Sequence, residues 1–122
     1  MIGCTTWVVA DGYIPPTSTG PIPEMVSHDS VCMLNAGEAD ATVELWVFFT
    51  DRDPQGPYVL PVPARRAHHQ RINDLRLPAA VPIGVDYSLV LHSDTPIVVQ
   101  HTRLDSRQPA NALMSTIAFP VP

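Results

Sequence analysis

Two short segments concentrate the residue types that could do chemistry. One is "HTRLDSR" (101–107), where His101, Arg103, Asp105 and Arg107 follow a β-branched run, "PIVVQ". The other is "ARRAHHQRIND" (64–74), which carries Arg65, Arg66, His68, His69 and Arg71 and closes on Asn73 and Asp74. All seven basic side chains of Lys/Arg type are arginine. A planar guanidinium suits bidentate pairing with a carboxylate or another planar anion. The chemistry these segments suggest is therefore recognition: ion pairs between strands or subunits, a partner-binding face, or an anion or sugar site. A third candidate is the pair Trp46 and Phe48, two rings on the polar side of an alternating strand. Such a patch marks an interface, a site covered by a loop, or a stacking platform.

Catalysis has little support. No G-x-S-x-G, H-E-x-x-H, Walker loop or G-x-G-x-x-G occurs. His101, Asp105 and Ser106 are close in sequence, but a triad is a matter of spatial geometry. His68 and His69 are adjacent on a strand and so face opposite ways, and His28, His92 and His101 have no ligand spacing. The expectation is no catalytic residue, no metal and no cofactor.

The elements that must position these residues read as strands. There are 14 prolines among 122 residues, roughly twice the usual share, and they exclude long helices almost everywhere. Period-two segments fall at 4–10, 25–37, 41–50, 58–62, 64–72, 86–93, 96–104 and 111–119, separated by turn residues. In 41–50 one side carries Val43, Leu45, Val47 and Phe49, a core face. In 64–72 neither side is a core face, which predicts an edge strand or one with partners on both sides. Residues 73–84 read as loop with at most one helical turn. Seven or eight short strands predict an all-β, antiparallel β-sandwich, one domain spanning 1–122, with a mobile C-terminal arm near 117–122.

Composition narrows the setting. With 45% hydrophobic and 16% charged residues the chain is globular rather than disordered. No apolar run approaches a membrane span, and "MIGC" has no basic or apolar leader before its cysteine, so a cytoplasmic protein is expected. Cys4 and Cys32 are expected to be reduced. Residues 1–53 hold eight acids and one arginine, whereas 54–122 hold four acids and six arginines. A net charge of −5 disfavours non-specific DNA binding but leaves a local arginine face possible.

Five segments then carry a resemblance: "DGYIPP" (11–16), "SHDSVCMLNAG" (27–37), "DPQGPY" (53–58), "VPARRAHHQRINDL" (62–75) and "PIVVQHTRLDSRQPANALMSTIA" (96–118). In this order they resemble the cyanobacterial sensory rhodopsin transducer family. The resemblance implies a jelly-roll-like sandwich similar to carbohydrate-binding modules, a homotetramer, and docking on the cytoplasmic face of a seven-helix retinal receptor. It also implies rival readings, a carbohydrate-binding or sugar-sensing module and a DNA-binding regulator. Asp105 is expected to pair with at least one arginine, either Arg103 or Arg107 locally or, in a tetramer where "HTRLDSR" meets the 64–72 strand of a neighbour, Arg65, Arg66 or Arg71 across the interface.

Overall fold

The computed structural model describes all 122 residues. It is all-β, with eight strands: β1 Cys4–Tyr13, β2 His28–Asn35, β3 Ala41–Phe49, β4 Gln55–Val62, β5 Arg66–Arg71, β6 Asp86–Asp105, β7 Ala112–Ile117 and β8 Phe119–Val121. A single helical turn, Ile72–Asp74, follows β5. Every pairing is antiparallel. One layer has the order β4-β3-β6-β1-β8, and β6 continues into a second layer in which it pairs with β2 and β7, while β5 pairs with β2. The result is a β-sandwich that does not close into a barrel.

The 20-residue β6 joins the layers. The segments 86–93 and 96–104 were expected as two strands, because Pro96 interrupts the run. The structure makes them one. Up to Ser93 β6 pairs with β3 and, to His92, with β1, which it meets again at Ile97 opposite Cys4; from Val98 onward it pairs with β2. Pro96 sits where one set of partners is exchanged for the other, so its missing N–H costs no bond with β2 or β3. The Ser93 hydroxyl donates to the Thr95 carbonyl at 2.6 Å and holds the change of direction. Prolines 57 and 61 are likewise admitted because β4 is an edge strand.

The core is where the alternation places it. Val43, Leu45 and Val47 of β3 are fully buried, with Phe49 packed at the margin. Val31 and Met33 of β2, and Leu89, Leu91, Ile97 and Val99 of β6, complete its centre. Trp7 lies in this core and its indole N–H is shared between the carbonyls of Cys4 and Ile97, both at 3.0 Å. The proline-rich stretch after β1 is tied down by hydroxyls. Thr19 donates through its amide and side chain to the Ser106 carbonyl, and the Ser27 hydroxyl donates to the Thr17 carbonyl. At the C-terminus, residues 119–121 form β8 against Thr6–Val8 of β1.

Candidate functional site

The inward side of β2 reads Asp29, Val31, Met33, Asn35. A carboxylate on a core face must be compensated, and Asp29 is completely buried. The register places Arg103 directly across from it on β6, with His101 two residues earlier on the same face. Tyr87, from the first half of β6, approaches from the other layer. Its hydroxyl donates to Asp29 Oδ2 at 2.5 Å, and the Tyr13 amide donates to the same oxygen at 3.1 Å. His101 Nε2 donates to Oδ1. The Arg103 Nε lies 3.9 Å from Oδ1, too far for a hydrogen bond, and has no other acceptor. Its Nη2 reaches the Asp11 carbonyl at 2.8 Å. Asn73, from the turn after β5, accepts the Asp29 amide and donates to the Ser27 carbonyl.

Both layers thus converge on one carboxylate. The charges of Asp29 and Arg103 face each other across the strands, and the imidazole adds a donor through Nε2. Buried networks of this kind specify one arrangement rather than add large net stability. Gly12 belongs to the same construction, since a Cβ there would stand 2.2 Å from the Tyr87 ring.

Burial, then the neighbouring Asp29 charge and the hydrogen bond to it, push the Tyr87 phenol far above its ordinary range, with Arg103 opposing. A raised folded-state value means the phenol's contribution is complete below its unfolded value of about 10 and is lost as pH rises above it. Tyr87→Phe is expected to cost about 1.5–3 kcal/mol at pH 7, the usual worth of a hydrogen bond to a charged group. The gap between wild type and variant should narrow at alkaline pH. Urea unfolding at a series of pH values measures it, and a gap independent of pH would refute the assignment.

The residues singled out by sequence fall into three places. Asp105 is paired locally. Arg107 grips it with Nε at 2.9 and 3.1 Å and Nη2 at 2.6 Å, and this holds the Asp105 carboxyl below its usual range. The pair is partly solvated, so it contributes little to stability. Arg103 and Arg107 also flank the Tyr13 ring, at 6.0 and 5.9 Å from its centre. His101, Arg103 and Asn73 belong to the Asp29 network. The remainder lies around β5. Arg65 pairs with Glu38 at 3.2 Å in the open, Arg66 caps the Arg65 carbonyl, and Arg71 donates to Pro23 O. Asp74 is exposed. Within the chain none of Arg65, Arg66 and Arg71 meets Asp105.

The alternation within β5 holds, but one of its sides does turn inward. His68 Nδ1 donates to the Pro61 carbonyl at 2.7 Å, Nε2 lies 3.0 Å from Gln70 Oε1, and Ile72 is fully buried. His69 is exposed on the other side, opposite Cys32. His101, Asp105 and Ser106 do not converge, because the Ser106 hydroxyl donates to the Met25 carbonyl at 2.5 Å. Trp46 is half-buried, with Gly56 set against its ring, while Phe48 is 41% exposed. Phe48 is thus the more open of the two rings.

Asp29 and Tyr87 escaped the sequence reading. A signal existed: Asp29 shares parity with Val31 and Met33, and Tyr87 with Leu89 and Leu91. A charged or hydroxylated residue on a core parity points to a buried partner.

No helix is long and apolar enough to cross a membrane. The model of one protein family, ASRT, described as Anabaena sensory rhodopsin transducer, matches residues 2–120. Among solved structures, the Anabaena sensory rhodopsin transducer is 53% identical, with a TM-score of 0.76 over 83% of this chain and 97% of that one. A Thermotoga maritima protein, 1070, is 30% identical, with a TM-score of 0.89 over 99% and 97%. No curated protein sequence matches the chain.

Proposed function

The chain belongs to the Anabaena sensory rhodopsin transducer family, and on that footing we propose that it is a soluble, cytoplasmic signal transducer. It acts by binding a seven-helix retinal receptor, or another partner, and not by catalysis. The observation that carries this reading is the family match over residues 2–120, joined to 53% identity with a sensory rhodopsin transducer. A non-catalytic role is supported by the family match, which is to a transducer.

The working unit is a homotetramer. Support comes from the layer that contains β7. Every residue of β7 is exposed, although an isolated chain has little reason to keep an apolar strand there. Leu113 and Ile117 are 71% and 58% exposed, and Leu34 on the same outer side is 44% exposed. His69, Arg71, Gln100 and Thr102 supply polar positions on that side. An apolar centre among polar residues is the composition of a subunit interface.

Relay requires that the receptor's two states bind the transducer with different affinity. The test is a titration of the full chain against a retinal-loaded sensory rhodopsin in detergent, in the dark and under illumination. Binding that changes with light is the expected result. Absence of binding in both states, or equal affinity in both, would overturn the receptor reading.

A further inference from the structure

We propose that the open side of the sandwich is a binding site for a small molecule with an apolar body and one hydrogen-bond donor, a hydroxyl or an amine. A cavity of about 290 Å³ lies there, between β1 and the β7–β8 corner, and His101 forms part of its wall. The cavity follows from the topology. β8 pairs with β1 only from Thr6 to Val8, so β1 from Val9 to Asp11 has no neighbour on that side. β7 pairs only with β6. The two layers therefore part between β1 and β7, and Met114 and Thr116, which lie across from Arg103 and His101, face a gap that no side chain fills.

The lining is apolar apart from three groups. Val9, Met114 and Ala118 are among its walls, and the polar members are His101, Thr116 and Asp11. A concave apolar site with a few convergent polar groups is the usual form of a small-molecule site, and this volume lies just below the usual range, which suits a small ligand. The imidazole is the specific feature. Its Nε2 is committed to Asp29, which fixes the tautomer and the ring plane. Its Nδ1 has no partner in the protein, yet it is not among the buried atoms left without one. It is therefore the nitrogen that remains accessible on the cavity side. In an imidazole whose single proton is on Nε2, Nδ1 offers a lone pair and takes a donor. Asp11 lies at the rim and Asp29 behind the ring, so an anion is disfavoured.

The probes are benzyl alcohol, benzylamine, toluene and benzoate, titrated into the full chain. The readouts are the His101 imidazole nitrogen signals and the Met114 methyl signal in nuclear magnetic resonance spectra. The expected result is saturable shifts with the alcohol or the amine, about tenfold tighter than with toluene, which is the worth of one hydrogen bond. Benzoate should leave the spectra unchanged. Thr116→Phe, at an exposed position outside the Asp29 network, should fill the cavity and abolish the shifts. Shifts that toluene reproduces at equal affinity, shifts retained in Thr116→Phe, or no shift with either donor probe would each overturn the proposal.

Discussion

Asp29→Ala is expected to destabilise the chain by about 3–5 kcal/mol, the usual loss when one member of a buried ionic network is removed. For a domain of this size that is a fall in melting temperature of roughly 10–20 °C. The magnitude follows from what is left behind. Asp29 accepts from the Tyr87 hydroxyl, the Tyr13 amide and His101 Nε2, and it balances the charge of Arg103. Without it, three donors and a largely buried guanidinium face an empty space. Thermal melts followed by circular dichroism measure the effect. A fall of less than about 3 °C, the effect of a typical surface substitution, would show that water replaces the carboxylate and that the network is not a structural joint. Asp29→Asn combined with Tyr87→Phe sharpens the point. Two residues that share a hydrogen bond should be non-additive by about 0.5–3 kcal/mol.

The second large effect concerns assembly. Leu113→Glu together with Ile117→Glu is expected to convert a tetramer into a 13.3 kDa monomer without loss of β structure. Both side chains lie on the outer side of β7 and are mostly exposed in one chain, so the folded subunit should lose little. Within an interface each carboxylate would be buried without a partner. Each such burial costs roughly 2–5 kcal/mol, so the pair should weaken association by at least ~1000-fold. Light scattering measures the mass and far-ultraviolet circular dichroism measures the fold. A double variant that remains a tetramer would move the interface elsewhere. A wild-type chain that is monomeric at micromolar concentration would remove the assembly reading altogether.

Much of this architecture was legible in the residue order. Val43, Leu45 and Val47 alternate with Thr42 and Glu44, and period two with β-branched residues has one physical meaning, a half-buried strand. The proline spacing excluded long helices because proline removes a backbone donor and clashes with the preceding turn. The pairing of Asp105 with an arginine was legible too, since an acid between two arginines has one within reach on either side. Which of them closes on it was not, because Arg103 turns to Asp11 and Asp29 while Arg107 takes Asp105. The continuity of β6 was not. A proline at position 96 reads as a boundary, and only the exchange of β-partners at that point makes it harmless. The residues of "HTRLDSR" were recognised as a group, yet they serve different ends. His101 and Arg103 face the interior, while Arg107 closes on Asp105 at the surface.

The sequence by itself determined the strand class, the core parity and the family, because these are written in local period and in the order of motifs along the chain. Tertiary structure alone decided that Asp29, Tyr87 and His101 share one buried carboxylate. Tyr87 and Asp29 are 58 positions apart, and His101 is 72 from Asp29. No local pattern encodes a contact across such distances. It arises because β6 passes from one layer to the other, carrying Tyr87 in with the first and His101 with the second, onto the same oxygen pair of β2.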